Sequence, residues 1–467
     1  MNHYPRYPKH KDSGVEWIGN VPEHWAVKPI KIIASCNDET LPESMPPDTP
    51  IRYVDISAVS QDKGIADAEP MSFGDAPSRA RRKAKVGDVI ISTVRTYLKA
   101  VAFVDDTHAD CVYSTGFAVL RAREQLNPEY LKWLVLNELL IQAIESHSEG
   151  LSYPAIKASE LVNLKTVVPA LSEQKLIAAV LDRETARIDA LIAKKTRFIE
   201  LLKEKRAALI THAVTKGLDP EVIMKDSGVE WTGEVPAHWQ IVQLGKIASA
   251  RCDGPFGSGL KSEHYQPSGV RVIRLQNIGW AAFKDDDSAF ISHEHWREVL
   301  GSGHGVLPND VLIAGLGDEN NLLGRACVAP DTLGEAIVKA DCYRFRLHED
   351  KAIPAFVALS LSATARAECG YMATGATRDR LTLGLASIRL IPLPPLDEQV
   401  QIIAVLEQAI TRIDMLTKKI QHSIDLLKER RSAFITAAVT GKVDVRVLVT
   451  NATKHVIRKE KLYELGT

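Results

Sequence analysis

Residues 11–25 read KDSGVEWIGNVPEHW, and residues 225–239 read KDSGVEWTGEVPAHW. Twelve of the fifteen positions are identical at an offset of 214, which chance does not produce. A second pair is longer. Residues 169–219 align without gaps on residues 394–444 at an offset of 225, with 26 of 51 positions matching. Shared pieces include Glu173-Gln174 with Glu398-Gln399, Arg187-Ile188-Asp189 with Arg412-Ile413-Asp414, and Lys203-Glu204 with Lys428-Glu429. An internal repeat takes precedence over local reading. The chain is two copies of one unit, the second with 225 − 214 = 11 extra residues between its conserved blocks.

Between these blocks the copies agree only in pattern. Val86-Gly87-Asp88-Val89-Ile90-Ile91 resembles residues 307–313, with Asp88 facing Asp310. Arg52-Tyr53-Val54-Asp55-Ile56 resembles Arg274-Leu275-Gln276-Asn277-Ile278. Each copy is therefore a variable domain followed by a conserved segment, a frame held constant while its detail changes.

The conserved segments predict long helices. Apolar residues alternate at spacings of three and four, through Ile177, Leu181, Ile188, Leu191, Phe198, Leu202 and Leu209 in the first. The second gives Ile402, Leu406, Ile413, Leu416, Ile420, Leu427 and Phe434. This is a heptad seam. Ser172 and Asp397 suit the N-cap, Glu173 and Glu398 the first turn, and Gly217 and Gly441 the stops. Two matched seams in one chain predict an antiparallel coiled coil that acts as a ruler; the alternative is that each helix packs only on its own domain. About 40 helical residues would span roughly 60 Å.

The variable domains predict a different structure. Residues 86–93, 116–121, 270–275 and 311–314 are short β-like runs bounded by Gly, Pro, Asp and Asn, while residues 127–146 and 353–367 read as helices. The expected fold class is α+β: two target-recognition domains of mixed α/β structure, separated by two long conserved helices forming an antiparallel coiled coil, with an internal pseudo-twofold repeat. The expected boundaries are 1–168 and 225–393 for the recognition domains, 169–224 and 394–445 for the helical spacers, and 446–467 for a C-terminal tail.

Composition narrows the function. The 467 residues carry 45% hydrophobic and 25% charged side chains, ordinary globular values. The six cysteines form no CxxC pair, no apolar run spans a bilayer, and residues 1–10 lack an apolar signal core. A cytoplasmic protein without disulfides or a zinc site is expected. The net charge of −1 does not advertise a nucleic-acid binder, but a basic face balanced by acidic ones is compatible with it.

No catalytic pattern is present. Gly254 and Gly259 have P-loop spacing, but Leu260 intrudes before Lys261. His293-Glu294-His295 is not HExxH, and Asp285-Asp286-Asp287 reads as a solvated loop. The chain is expected to be no enzyme and to bind no metal or cofactor of its own.

Groups suited to DNA recur at matched places. The first unit offers Arg79, Arg81, Arg82, Lys83 and Lys85, then Arg95, Tyr97 and Lys99 after a strand, and Ser152, Tyr153 and Lys157 in a loop begun by Gly150. The basic run is either a solvated loop or a phosphate contact. The second unit offers Lys261, Arg274, Gln276, Asn277, Asn320, Asn321 and Arg325, then Thr377, Arg378 and Arg380 in a loop begun by Gly375, which aligns with Gly150 at the offset of 225. Arg suits guanine and Asn or Gln suits adenine in the major groove.

The doubled WIG-x-VP-x-HW block, the doubled Pro-x-Leu-x-Glu-Gln at residues 169–174 and 394–399, the Arg-Ile-Asp and Leu-Leu-Lys-Glu helix interiors and the loop Asp253 to Lys261 together resemble the specificity subunits of type I restriction-modification systems. The resemblance covers nearly the whole chain except residues 445–467. It implies a non-catalytic DNA-specificity subunit whose two domains each read one half of a bipartite, asymmetric site. It implies helices that set the spacer and dock two modification (methyltransferase) subunits, through which two restriction subunits join. S-adenosylmethionine, ATP and Mg would belong to those partners, which methylate adenine and cleave DNA. Two readings compete: a coiled-coil adaptor joining non-DNA ligands, and an unrecognised nuclease, for which no carboxylate–Lys cluster is evident.

Overall fold

The computed structural model describes residues 4–256, 259–318, 321–372 and 379–448. The chain divides into two units, residues 1–196 with 422–467, and residues 197–421. Each division falls inside a long helix, so each unit owns the first part of one helix and the last part of the other.

In the first unit an antiparallel sheet runs in the order Val101–Phe103, Val89–Ser92, Phe117–Ala122 and Ala34–Cys36. A second sheet runs Glu69–Ser72, Pro50–Val54, Val112–Ser114 and Ala80–Lys83, and its central pair is parallel. The second unit repeats both. One sheet is Ala326–Val328, Val311–Ala314, Cys342–Leu347 and Ala248–Cys252; the other is Phe290–Ile291, Val270–Ile273, Ala336–Val338 and Gly305–Val306, again with a parallel central pair. Segments with little sequence identity thus share one topology, because alternation of apolar residues specifies a strand without specifying which residues alternate.

The pairing of Asp88 with Asp310 has a structural reason. Asp88 is buried, accepts from the Lys85 amide at 2.7 Å and takes the Arg121 guanidinium at 2.9 and 2.7 Å. Asp310 does the same with the Leu307 amide at 2.8 Å and Arg346 at 2.9 and 2.8 Å. Hydrogen bonds to these carboxylates raise the pKa of both arginines. The other pattern match needs a correction. Short 3-10 turns follow Asp55 and Arg274, so Asp55 stands opposite Arg274, and Arg52 opposite Arg271, three residues from the match expected. Apolar alternation alone left that register open.

The helices are Leu171–Lys216 and Leu396–Val439. Ser172 and Asp397 lie inside the first turn rather than at the N-cap; the Gln174 and Gln399 amides reach back to the carbonyls of Ala170 and Pro395. Pairing is antiparallel within each unit. In the first, Ile177 and Leu181 share a core with Phe434, Ile435 and Ala438, while Asp189, further along, pairs with the earlier Arg431 at 2.9 Å. In the second, Ile210 and Val214 share a core with Ile402 and Leu406.

The seam departs from the expected one at four positions. Ile177, Leu181, Ile188, Leu202, Ile402, Leu406, Ile413, Ile420 and Phe434 are buried and Leu427 is half-buried, but Leu191, Phe198, Leu209 and Leu416 are exposed. Ile199 and Ile210 are buried instead, Ile192 is half-buried, and Thr417 turns inward beside Leu416. The remaining helices hold their places with one break. The run over 127–146 is two helices, Pro128–Val135 and Glu138–Ser146, divided where buried Asn137 caps the second. The second unit has a single helix, Pro354–Met372, at this point in its order. No described helix is long and apolar enough to cross a membrane.

Both repeated sequence blocks serve one joint. In the first unit Glu173 accepts from Tyr7 Oη at 2.7 Å and Trp25 Nε1 at 3.1 Å, and His24 Nε2 lies at 3.0 Å. In the second, Glu398 accepts from Trp239 Nε1 at 3.1 Å, with His238 Nε2 at 2.7 Å. The neighbouring side-chain amides bind the sheet domain: Gln174 accepts from the Asn127 amide and Gln399 from the Ile353 amide, both at 2.8 Å. In the second unit the His-Trp block follows the helix end directly through Gly217. In the first unit the helix end comes from the far end of the chain, where the Asp444 amide donates to the Pro5 carbonyl at 2.8 Å.

Candidate nucleic-acid interface

In each unit a loop from the end of the sheet domain adds to the end of a central strand. In the first unit the Thr93 amide donates to the Gly116 carbonyl at 2.8 Å, the Ile156 amide to the Thr93 carbonyl at 2.9 Å, and Val94 bridges Ala155. In the second, the Gly315 amide donates to the Asp341 carbonyl at 2.7 Å, the Leu381 amide to the Gly315 carbonyl at 2.9 Å, and Leu316 bridges Arg380. Ala155 and Ile156 stand 225 positions before Arg380 and Leu381, so loops aligned by sequence occupy equivalent places. Their side chains share almost nothing.

The first loop pair is ordered by a strained turn. Arg95 and Lys99 both adopt left-handed backbone, φ +51° and +49°, on either side of the 3-10 turn Thr96–Leu98. Such residues persist only where neighbours over-determine them. Here buried Thr96 donates through Oγ1 to Ser148 Oγ at 2.9 Å. The turn presents Arg95, Tyr97 and Leu98 to solvent, and the loop presents Leu151, Ser152 and Tyr153. The Arg95 guanidinium sits 4.9 Å from the Tyr153 ring centre, bringing together residues 58 positions apart.

The basic run is less uniform than its sequence. Arg79 donates to Asp55 at 2.7 Å and to Tyr53 Oη at 3.0 Å, bonds that raise its pKa, and its carbonyl accepts from the Thr115 amide beside the Thr93 turn. Arg81 stacks on Phe73 at 4.7 Å, Arg82 is half-buried, Lys83 is exposed, and Lys85 pairs with Glu39 at 2.5 Å. Lys99 is held by Glu138 at 2.6 Å, and Lys157 lies 3.7 Å from Glu160.

Several residues chosen in the second unit have internal work. Asn277 is buried; its amide group donates to the carbonyls of Lys284 and Asp287, and its oxygen accepts from the Arg274 amide. Arg325 is 5% exposed and donates to the carbonyls of Leu275, Ile278, Leu316 and Leu322. Burial lowers its pKa. Both are therefore structural side chains, corrected from base-reading candidates: they are buried and committed to backbone groups of neighbouring turns. Arg274 and Gln276 both bind Asp287, Asn321 binds Asp318 at 3.0 Å, and Lys261 lies 3.6 Å from Glu263. Arg380 pairs with Asp341 at 2.8 Å, whose charge raises its pKa, and stacks on exposed Phe256 at 5.4 Å. Asn320, Thr377 and Arg378 lie outside the described residues.

Sequence reasoning passed over Leu98, Leu151, Phe256 and Asp341. Phe256 stood in a loop already singled out, whereas no local signal marks an exposed leucine. Among the described residues no three His, Cys, Asp or Glu side chains converge as a metal-holding group.

Two repeated units, each a pair of twisted sheets on half of a helix pair, with equivalent loops carrying different side chains, define a protein that presents two distinct surfaces on one frame. Comparison with known proteins finds chains similar to this one. The type I restriction modification DNA specificity domain matches residues 78–201. A putative type I restriction enzyme MjaX specificity subunit of Methanocaldococcus jannaschii is 25% identical over 92% of this chain and 96% of its own length. The EcoKI specificity subunit of Escherichia coli K12 is 20% identical, covering 72% of this chain and 69% of its own. A chain from a structure of type I R-M complex assembly and conformational transition shares the fold, with a TM-score of 0.68 at 22% identity over 90% of this chain and 98% of that one. The chain is similar along most of its length to specificity subunits of type I restriction enzymes, and it shares their fold.

Proposed function

We propose that this chain is the non-catalytic targeting subunit of a type I restriction-modification complex, with recognition domains over residues 1–168 and 225–393 each reading one half of a bipartite, asymmetric DNA site. One observation carries the reading: in loops matched by sequence, Ala155-Ile156 and Arg380-Leu381 add to equivalent strand ends through the same backbone bonds, while the loop sequences differ. A protein that binds one ligand twice would keep the side chains as well. The helices set the spacer and dock two modification subunits, through which two restriction subunits join. Exposed Val405, Met415 and Leu426 on the second of those helices support the docking, as does a cavity of about 490 Å³ in the first unit lined by Tyr4, Leu426, Arg430, Ala433, Phe434 and Val443. S-adenosylmethionine, ATP and Mg belong, in this reading, to the partners.

The test is single-molecule sequencing of methyladenine in cells carrying this gene with its methyltransferase gene, against cells lacking it. A gene-dependent bipartite motif with an unspecified central gap is expected. Its absence with the methyltransferase expressed would favour the adaptor reading.

A further inference from the structure

The cations of the candidate interface fall into two groups. Arg79, Lys85, Lys99, Lys157, Arg274 and Arg380 each face a carboxylate within 4 Å. Lys261 does too. A cation already neutralised must break or share that pair to meet DNA. Arg81, Arg82, Lys83 and Arg95 have no carboxylate within ion-pair distance among the described residues; Arg81 and Arg82 are half-buried and Lys83 carries no planar guanidinium, whereas Arg95 is an exposed arginine whose guanidinium lies over the Tyr153 ring.

The stack restricts where the guanidinium can go. An arginine on a flexible surface holds its charge in no fixed direction, which serves a phosphate but not a base. Arg95 is constrained at both ends. Its backbone is held left-handed between the Val94–Ala155 bridge and the anchored Thr96 turn. Its head lies over a ring from the opposite loop, itself tied down by the Glu149–Ala155 pairing. A face stacked on an aromatic ring leaves the in-plane N–H donors pointing outward, and a planar pair of donors matches O6 and N7 of guanine.

We infer that Arg95 reads a guanine edge in the half-site of the first recognition domain, with Tyr153 as the residue that positions it. The inference rests on the DNA-reading function proposed above. Adenine and the pyrimidines do not offer two acceptors to one guanidinium fork in the major groove.

The experiment is selection of DNA from a randomised pool by the complex assembled with its modification subunits, using wild type, Arg95→Lys, Arg95→Ala, Tyr153→Phe and Tyr153→Ala, with binding measured over a range of salt. Arg95→Lys keeps the charge and loses the fork. It is expected to reduce discrimination at one G·C position of one half-site by about 10- to 100-fold, leaving the other half-site and the salt slope unchanged. Arg95→Ala should relax the same position. Tyr153→Phe retains the ring and should retain the preference; Tyr153→Ala should relax that same position. Uniform weakening of all sequences by Arg95→Ala, with a salt slope smaller by about one, would mean a phosphate contact and overturn the inference while leaving the function standing. A wild-type complex that selects no bipartite motif would overturn both.

Discussion

The indole N–H of Trp25 donates to the Glu173 carboxylate at 3.1 Å, inside a joint where both side chains are almost wholly buried. The same carboxylate accepts from Tyr7. A buried donor left without its acceptor costs about 1–3 kcal/mol. Glu173→Ala removes the acceptor for two. Glu398 serves Trp239 alike, but it is 24% exposed against 8%, and the position matching Tyr7 at the offset of 214 is Glu221. Chemical denaturation should therefore find Glu173→Ala more destabilising than Glu398→Ala, with a loss of about 2 kcal/mol or more for the former. Equal losses would show that the first joint is no tighter than the second.

The two helix stops should also respond unequally. Gly217 and Gly441 both have left-handed backbone, φ +78° and +73°. A Cβ at Gly217 would meet nothing closer than 3.4 Å, so Gly217→Ala should cost only the left-handed penalty of about 1–2 kcal/mol. A Cβ at Gly441 would lie 2.2 Å from Pro22 Cδ and 3.0 Å from the Trp25 ring. Gly441→Ala should lower the melting temperature clearly further. Matching shifts in the two variants would mean that Pro22 and Trp25 yield without strain.

Asp253 gives a pH signature. Burial, with a contribution from the charge of Asp341, pushes its pKa up to about 6. The folded value exceeds the unfolded one, so the native state binds more protons between about pH 4 and pH 6. This group's contribution to stability therefore falls as the pH rises through that window and levels off above it. Asp253→Asn keeps an acceptor for the Gly254 amide and should remove the slope. The measurement is the difference between wild-type and Asp253→Asn stability curves over pH 4–7; a flat difference curve would count against the shift.

The proposed ruler has a length that can be changed. Four residues inserted at Lys194 add about 6 Å of helical rise, one or two base pairs at about 3.4 Å each. The methylation motif of the insertion variant should gain that much spacer with unchanged half-sites. Retained methylation with the original spacer would remove the helices from that role.

The positions of the base-reading candidates were legible only in part. Matched loops were found because a gapless block of identity carried the offset of 225 back to Gly150 and Gly375. Which side chains reach out of them was not. Asn277 and Arg325 are chemically suited to bases, yet both fill hydrogen bonds of turns that close only in three dimensions.

Sequence by itself determined the doubling, the two long helices and the short strands, because repeated identity and apolar spacing are local properties that need no partner. Tertiary structure decided the rest. Leu191-Ile192, Phe198-Ile199 and Leu209-Ile210 each offer two adjacent apolar residues about 100° apart around the helix, so two seams satisfy the same periodicity. Packing with Ile402, Leu406 and the neighbouring domain selects the isoleucine at 210, as burial does at 199. The stacking of Arg95 on Tyr153 and the joint of Trp25 with Glu173 link residues 58 and 148 positions apart, and only chain folding brings such partners within reach.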